Sequence, residues 1–166
     1  MSSIAETARF RGLAAGFLIL AALPAAADEP PFRDDRSDPA AIVASLYDAL
    51  DRHEYARAWS YFGDAKPVAD YATFVKGYAD TDRIALRTGK VTTEGAAGSI
   101  YGSVPVAIAA TGTDGTTRVF AGCYTTRQVQ PAIQEPPFRP LEIVEGKLAP
   151  TDAPLDAAVP ADCPTP

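Results

Sequence analysis

The stretch "LDRHEYARAWSYF", residues 50–62, holds the only histidine and the only tryptophan of the 166-residue chain. From Tyr55 onward its apolar residues stand at positions i, i+3, i+4 and i+7, which is the spacing of one helix face. His53 separates this face from the end of the preceding apolar stripe. Histidine tolerates the left-handed backbone that ends a helix, so we interpret His53 as a joint between two helices and not as a general base.

Helices are also predicted on both sides of this pair. Asp38 or Ser37 can cap a first helix in which Pro39 takes the first helical position. Its apolar stripe comprises Ile42, Leu46, Ala49 and Leu50. A third helix is predicted from Asp70 to Tyr78, with an apolar face made by Tyr71, Phe74, Val75 and Tyr78.

Beyond residue 80 the pattern changes to the alternation that is typical of strands. The runs are "RIALRTGKVTT" (83–93), "IYGSVPVAIAAT" (100–111), "RVFAGCYTTRQV" (118–129) and "LEIVEGKLAP" (141–150). We interpret "EGAAGS" (94–99) as a loop and Asp114-Gly115 as a hairpin turn. Pro105 indicates a bulge or an edge within its strand.

Helices and strands are therefore segregated along the chain. This order predicts an α+β fold in which three N-terminal helices pack on an antiparallel sheet of about four strands. The predicted domain occupies residues 38–149. A flexible leader is expected at 28–37 and a proline-rich tail at 150–166.

The first 27 residues have the pattern of a secretory signal peptide. Arg9 and Arg11 precede the apolar run 12–23, which is too short to span a bilayer, and Ala25 to Ala27 fit the small-residue cleavage rule. We therefore expect an exported bacterial protein, periplasmic or secreted. No integral membrane segment is expected after removal of residues 1–27.

The charge of the mature chain argues against polyanionic partners. Removing Arg9, Arg11 and Glu6 from the 15 basic and 21 acidic residues leaves 13 and 20, a net charge of −7. An acidic chain repels phosphate backbones and anionic lipid surfaces. Nucleic acid is therefore not an expected partner.

Cys123 and Cys163 are the two cysteines of the chain. In an exported protein an even count favours a disulfide, which here would pin the tail to the sheet. The alternative is a buried Cys123 and a free Cys163.

Several runs resemble a known superfamily. The helix pair of residues 50–62, together with "FVKGYADT" (74–81), "EGAAGSIYGSVPV" (94–106) and "FAGCYTTR" (120–127), is similar to an uncharacterised group of small exported bacterial proteins in the NTF2-like (SnoaL-like) superfamily. The resemblance covers residues 38–149. It implies a cone in which a curved sheet and the helices enclose a pocket. Some members of the superfamily are isomerases or dehydratases, and many are binding or accessory domains.

The candidate ligand-binding residues are mainly aromatic, as in many small-molecule pockets. Arg127 would hold an anionic ligand only if the strand parity that it shares with Cys123 and Thr125 faces the cone. For the aromatic residues the alternative is ordinary core packing. The set comprises Trp59, Tyr71, Phe74, Tyr78, Tyr101, Tyr124 and Arg127.

Motifs for metal, nucleotide or nucleophilic chemistry are missing from the sequence. One histidine and two separated cysteines do not make a standard zinc site. The sequence contains no P-loop, no G-x-G-x-x-G after a strand and no G-x-S-x-G. Asp80, Asp82 and Glu94 are carboxylates near the ends of predicted elements. We therefore expect no metal or cofactor and assign no catalytic residue.

Three functions remain open on the sequence. The first is a non-enzymatic domain that binds a small apolar or aromatic ligand, or an envelope protein. The second is an isomerase-like or dehydratase-like enzyme that uses a pocket carboxylate and a tyrosine. The third is a structural envelope protein that dimerises through its sheet.

Overall fold

The computed structural model describes residues 31–164, so the signal-peptide prediction lies outside the described residues. The helices are α1 (Pro39–Asp51), α2 (Tyr55–Ser60) and α3 (Tyr71–Gly77). The strands are β1 (Thr81–Thr88), β2 (Thr92–Ala96), β3 (Ser99–Gly112), β4 (Thr117–Val129) and β5 (Glu142–Thr151). Short 3₁₀ helices cover Pro131–Ile133 and Leu155–Ala157. The α+β prediction of three helices on an antiparallel sheet is confirmed.

Both predicted helix caps are present. The Asp38 side chain accepts hydrogen bonds from the backbone N–H groups of Ala40 and Ala41, at 2.8 and 2.9 Å. The Asp70 side chain accepts one from the N–H of Thr73 at 2.7 Å. These bonds satisfy N–H groups that have no partner within the first turn of a helix.

The joint at His53 is confirmed. Its φ of 56° is left-handed. The His53 N–H donates to the carbonyl of Leu50 at 3.0 Å, and the Glu54 N–H donates to the carbonyl of Ala49 at 2.8 Å. These two bonds are those of a Schellman motif, which ends a helix. The imidazole Nε2 lies 3.0 Å from the Thr81 carbonyl oxygen, so the ring holds the joint against the start of β1.

The sheet has the strand order β1-β3-β4-β5, and β2 pairs with β3 beyond the end of β1. It thus has five strands and not about four, because the run 83–93 breaks after Thr88. Pro105 lies opposite this break, between the pairs Thr88–Val106 and Thr92–Ser103. The N–H that proline lacks is therefore not needed for a ladder to either strand.

The interpretation of residues 94–99 as a loop is wrong. Residues 94–96 belong to β2, and the turn consists of Ala97 and Gly98 alone, with φ values of 47° and 70°. Two consecutive positive φ values are those of a tight type I′ hairpin turn. The small residues have low strand propensity, but pairing with β3 overrides it. The hairpin turn predicted at Asp114-Gly115 is confirmed, and Gly115 has a φ of 80°.

The core lies between the helices and one face of the sheet. On β4 the even-numbered residues face the helices, and Thr126 packs fully buried beside Pro39 and Gly102. The largest fully buried apolar side chains of this core are Ile42, Val43, Leu46, Leu50, Tyr61, Val104, Val106 and Ile143.

The tail lies on the opposite face of the sheet. Cys123 and Cys163 are joined, 40 positions apart in sequence, so the predicted disulfide is confirmed. Within the tail, the Val159 side chain lies against Gly89, next to the fully buried Pro105. The tail therefore covers part of the outer sheet face.

Residues 32–37, which precede α1, pack on the helix pair. The Arg57 guanidinium lies over the Phe32 ring, 4.5 Å from its centroid, and pairs with Asp48 at 2.7 Å. The Tyr61 hydroxyl donates to Asp34 at 2.8 Å. These contacts tie residues 32–37 to α1 and α2, in contrast to the flexible leader expected at 28–37.

Removing the disulfide is expected to destabilise the fold. On the chain-entropy model a closed loop of this length contributes at most about 4 kcal/mol, so Cys123→Ala and Cys163→Ala should each lower the free energy of unfolding by about 2 to 4 kcal/mol. Urea denaturation measures the change, and wild type under reductant should match the variants. A loss below about 1 kcal/mol would show that the disulfide of the tail adds little to the free energy of unfolding.

A substitution series tests the joint. His53→Ala should be about 1 kcal/mol less stable than His53→Gly, because glycine adopts the left-handed conformation without steric cost. Thermal unfolding of both variants provides the comparison. Equal stability of the two would contradict the backbone role of this position.

Candidate functional site

A cleft of about 1010 Å³ lies between the helices and the sheet. Its walls come from α1, α3, the α2–α3 connection and the helix-facing side of the sheet. Six aromatic side chains line it: Tyr47, Phe62, Phe74, Tyr78, Phe120 and Tyr124. The buried lining residues are aromatic or aliphatic, and polar and charged residues line the exposed part. Small-molecule sites commonly combine an apolar surface with a small number of placed polar groups.

Strand register places the rings of β4 in the cleft. Phe120 is paired with Ile108, and Tyr124 with Val104. Because side chains alternate across a strand, all four lie on the helix-facing side. On β5, the other neighbour of β4, Gly146 is paired with Tyr124. A Cβ added at Gly146 would lie 2.4 Å from the tyrosine ring. Gly146 therefore leaves the space in which this ring lies.

Tyr47 and Tyr124 form a buried polar pair within the cleft lining. Their hydroxyl oxygens are 2.8 Å apart, a hydrogen bond in which either can donate. The ring centroids are 6.1 Å apart with an interplanar angle of 74°, an edge-on contact. The two residues are only 5% and 6% exposed. The pair thus joins α1 to β4 and places two hydroxyl groups among the buried aromatic and aliphatic lining residues.

The phenols of the cleft remain protonated at neutral pH. Burial raises the pKa of Tyr124, and burial followed by the neighbouring Tyr124 raises the pKa of Tyr47. Burial also raises the pKa of Tyr78. Desolvation disfavours the phenolate, so these side chains can donate and accept hydrogen bonds but do not supply a base or a nucleophile.

Charged side chains are found at the exposed mouth of the cleft. Asp114 accepts hydrogen bonds from the N–H and hydroxyl of Thr116, at 2.9 and 3.1 Å, and the hydrogen bonds lower its pKa. Glu145 pairs with Lys147 at 2.7 Å. Asp80 and Arg118 are exposed. These groups would contact a ligand only at its outer end.

Lys66 is an exposed residue of the cleft lining. Its ammonium group donates to the carbonyl of Phe62 at 2.8 Å and lies 5.0 Å from the centroid of Trp59. Trp59 does not line the cleft. The ammonium group is therefore held by the end of α2.

The structure brings together three of the seven candidate site residues, namely Phe74, Tyr78 and Tyr124. Trp59 and Tyr71 lie outside the cleft. The Trp59 ring is 5.2 Å from Phe74 and 5.9 Å from Tyr71, both edge-on. Trp59 therefore packs behind Phe74 and supports the wall without forming it.

The other two candidates lie on the opposite side of the sheet. Tyr101 and Arg127 are directly paired across β3 and β4, with the parity of Cys123. Arg127 donates to the Ser99 hydroxyl at 3.1 Å and lies 3.8 Å from Glu142. The strand parity that Arg127 shares with Cys123 and Thr125 therefore does not face the cleft, so Arg127 would not hold a ligand there.

Sequence reasoning missed Tyr47 and Phe62 as lining residues, and it gave Phe120 only as one of two alternatives that depended on strand parity. Phe62 belongs to the helix face that begins at Tyr55. Phe120 has the parity of Tyr124, but that parity could be assigned only once the helix-facing side was known. Tyr47 follows Val43 by four residues, a spacing that places both residues on one helix face. This spacing was the signal available in the sequence.

Of His53 and the carboxylates Asp80, Asp82 and Glu94, which the sequence singles out, Asp80 lines the cleft. His53, Asp82 and Glu94 lie elsewhere in the part of the chain that the structure describes. Within residues 31–164, no three His, Cys, Asp or Glu side chains are grouped so that they could hold a metal ion. No helix in the same range is long and apolar enough to cross a membrane.

Comparison with known proteins gives one solved structure. It is described as a "putative dehydratase from the NTF2-like family" from Streptomyces avermitilis, with 12% sequence identity and a TM-score of 0.46. The match covers 68% of this chain and 93% of that one. This similarity is too low to assign a family or an activity. No protein-family model matches the chain, and no curated protein matches it.

The tyrosine pair can be tested with a double-mutant cycle. Tyr47→Phe and Tyr124→Phe should each lower the free energy of unfolding by about 1 to 2 kcal/mol, because each leaves a buried hydroxyl without its partner. The double variant should lose less than the sum, since no hydroxyl is then left unpaired. Additive losses in urea denaturation would contradict the pairing.

Proposed function

We propose that this protein is a non-enzymatic domain that binds a small apolar or aromatic ligand in an NTF2-like cone. The observation that carries this proposal is the cleft of about 1010 Å³ with its six aromatic side chains. Its volume is at the upper end of the range of roughly 300 to 1,000 Å³ found for small-molecule sites. Aromatic walls bind flat apolar molecules through burial and edge or stacking contacts.

The same lining supports binding over acid–base catalysis. The carboxylates in the wall, Asp80, Asp114 and Glu145, are exposed at the mouth. A general base works best with a pKa that burial or neighbouring charge has moved toward the working pH. The hydrogen bonds to Thr116 lower the pKa of Asp114, which is the wrong direction for a base at neutral pH.

We further propose that the domain acts outside the cytoplasm, in the periplasm or as a secreted protein. This is supported by the disulfide between Cys123 and Cys163, since such bonds persist in oxidising compartments. The signal-like pattern of residues 1–27 points the same way.

A cavity-filling variant tests the ligand site. Ala110 lines the cleft, and its neighbour Ala109 points to the opposite face of β3. The mature protein is expected to bind the neutral dye N-phenyl-1-naphthylamine with a rise in fluorescence. Ala110→Trp places an indole ring in the cleft and should weaken binding by about tenfold or more, a change of about 1.4 kcal/mol.

Ala109→Trp is the matched control. It adds the same side chain one residue away on the other face of the strand, so it should leave the dye affinity unchanged. Equal weakening by the two variants, or no binding by the wild type, would contradict a ligand site in the cleft.

A further inference from the structure

The paired hydroxyls of Tyr47 and Tyr124 have more donors than acceptors between them. Each phenol carries one O–H donor. Whichever of the two donates across the 2.8 Å contact, the other becomes the acceptor and keeps its own proton. A pair of hydroxyls bonded to each other therefore always retains one O–H donor for a third group.

No protein acceptor for this second proton is found in residues 31–164. The bond between Tyr47 and Tyr124 is the sole hydrogen bond recorded for either hydroxyl within that range. Tyr78 lines the same cleft, but its hydroxyl is not bonded to the pair. The two tyrosines are over nine-tenths buried and both belong to the cleft wall. The second O–H donor thus belongs to a buried residue pair in the cleft lining.

Resting on the proposed function, we infer that this hydroxyl pair is a binding site for one uncharged hydrogen-bond acceptor, so that the ligand is an apolar or aromatic molecule that carries a carbonyl oxygen. A buried donor without a partner favours a ligand that supplies an acceptor and disfavours one of the same shape that lacks it.

The surroundings of the pair favour a neutral ligand. The buried lining residues are aromatic or aliphatic, whereas the charged lining residues are exposed. A carboxylate at the pair would be buried without a cation beside it, which is costly. Burial raises the pKa of both phenols, which keeps the donor protonated over the physiological pH range.

Two isosteric compounds test the assignment. 2-Acetylnaphthalene and 2-isopropenylnaphthalene have the same ring system and differ in a carbonyl oxygen against a methylene group. Displacement of N-phenyl-1-naphthylamine gives a dissociation constant for each. In the Tyr47→Phe/Tyr124→Phe protein the ratio of the two constants should move against the ketone by about threefold to tenfold, the effect of one hydrogen bond.

Tyr78→Phe is the matched control, because it removes the third hydroxyl of the cleft and leaves the pair intact. It should keep the wild-type ratio. The infrared stretching band of ¹³C-labelled ketone should lie at lower frequency in the wild type and in Tyr78→Phe than in the double variant, as expected for a hydrogen-bonded carbonyl.

The outcomes separate the two proposals. Displacement by neither compound would overturn the proposed function and this inference with it. Displacement by both compounds, with the same ratio in the wild type and the double variant, would overturn the inference alone. A change of ratio in Tyr78→Phe with none in the double variant would also overturn it.

Discussion

The hydrogen bond between Tyr47 and Tyr124 is the interaction on which the arrangement of the cleft depends. It joins α1 to β4 over 77 residues of sequence, and both partners are buried. The Tyr124 ring can take this position because Gly146 leaves the space beside it. Since a buried hydroxyl is costly without a partner, the pair fixes the helix against the sheet as well as providing a polar group in the wall.

Much of the fold could be predicted from the sequence because its signals are local. Capping by Asp38 and Asp70 and the left-handed joint at His53 depend on residues within one turn of each other. The break opposite Pro105 was only partly foreseen. A proline restricts its own strand, but the split of the run 83–93 into β1 and β2 depends on pairing with a distant segment.

The cleft could be predicted less well because its lining depends on strand parity. Both parities of β4 contain apolar and polar residues, so the sequence allowed either Tyr124 or Arg127 to face the helices. Packing of Thr126 against Pro39 and Gly102 shows that the even-numbered residues of β4, including Tyr124, face the helices. The hydroxyl pair could not be foreseen either, since nothing local to Tyr47 or Tyr124 indicates that they meet.

The position of Cys163 has a consequence for the order of assembly. It lies 40 residues after Cys123 and beyond Thr151, the last residue of β5. During synthesis from the N-terminus, every helix and strand is therefore complete before the second thiol emerges. The disulfide can then form after the sheet has formed. It therefore stabilises the folded domain and does not direct strand pairing.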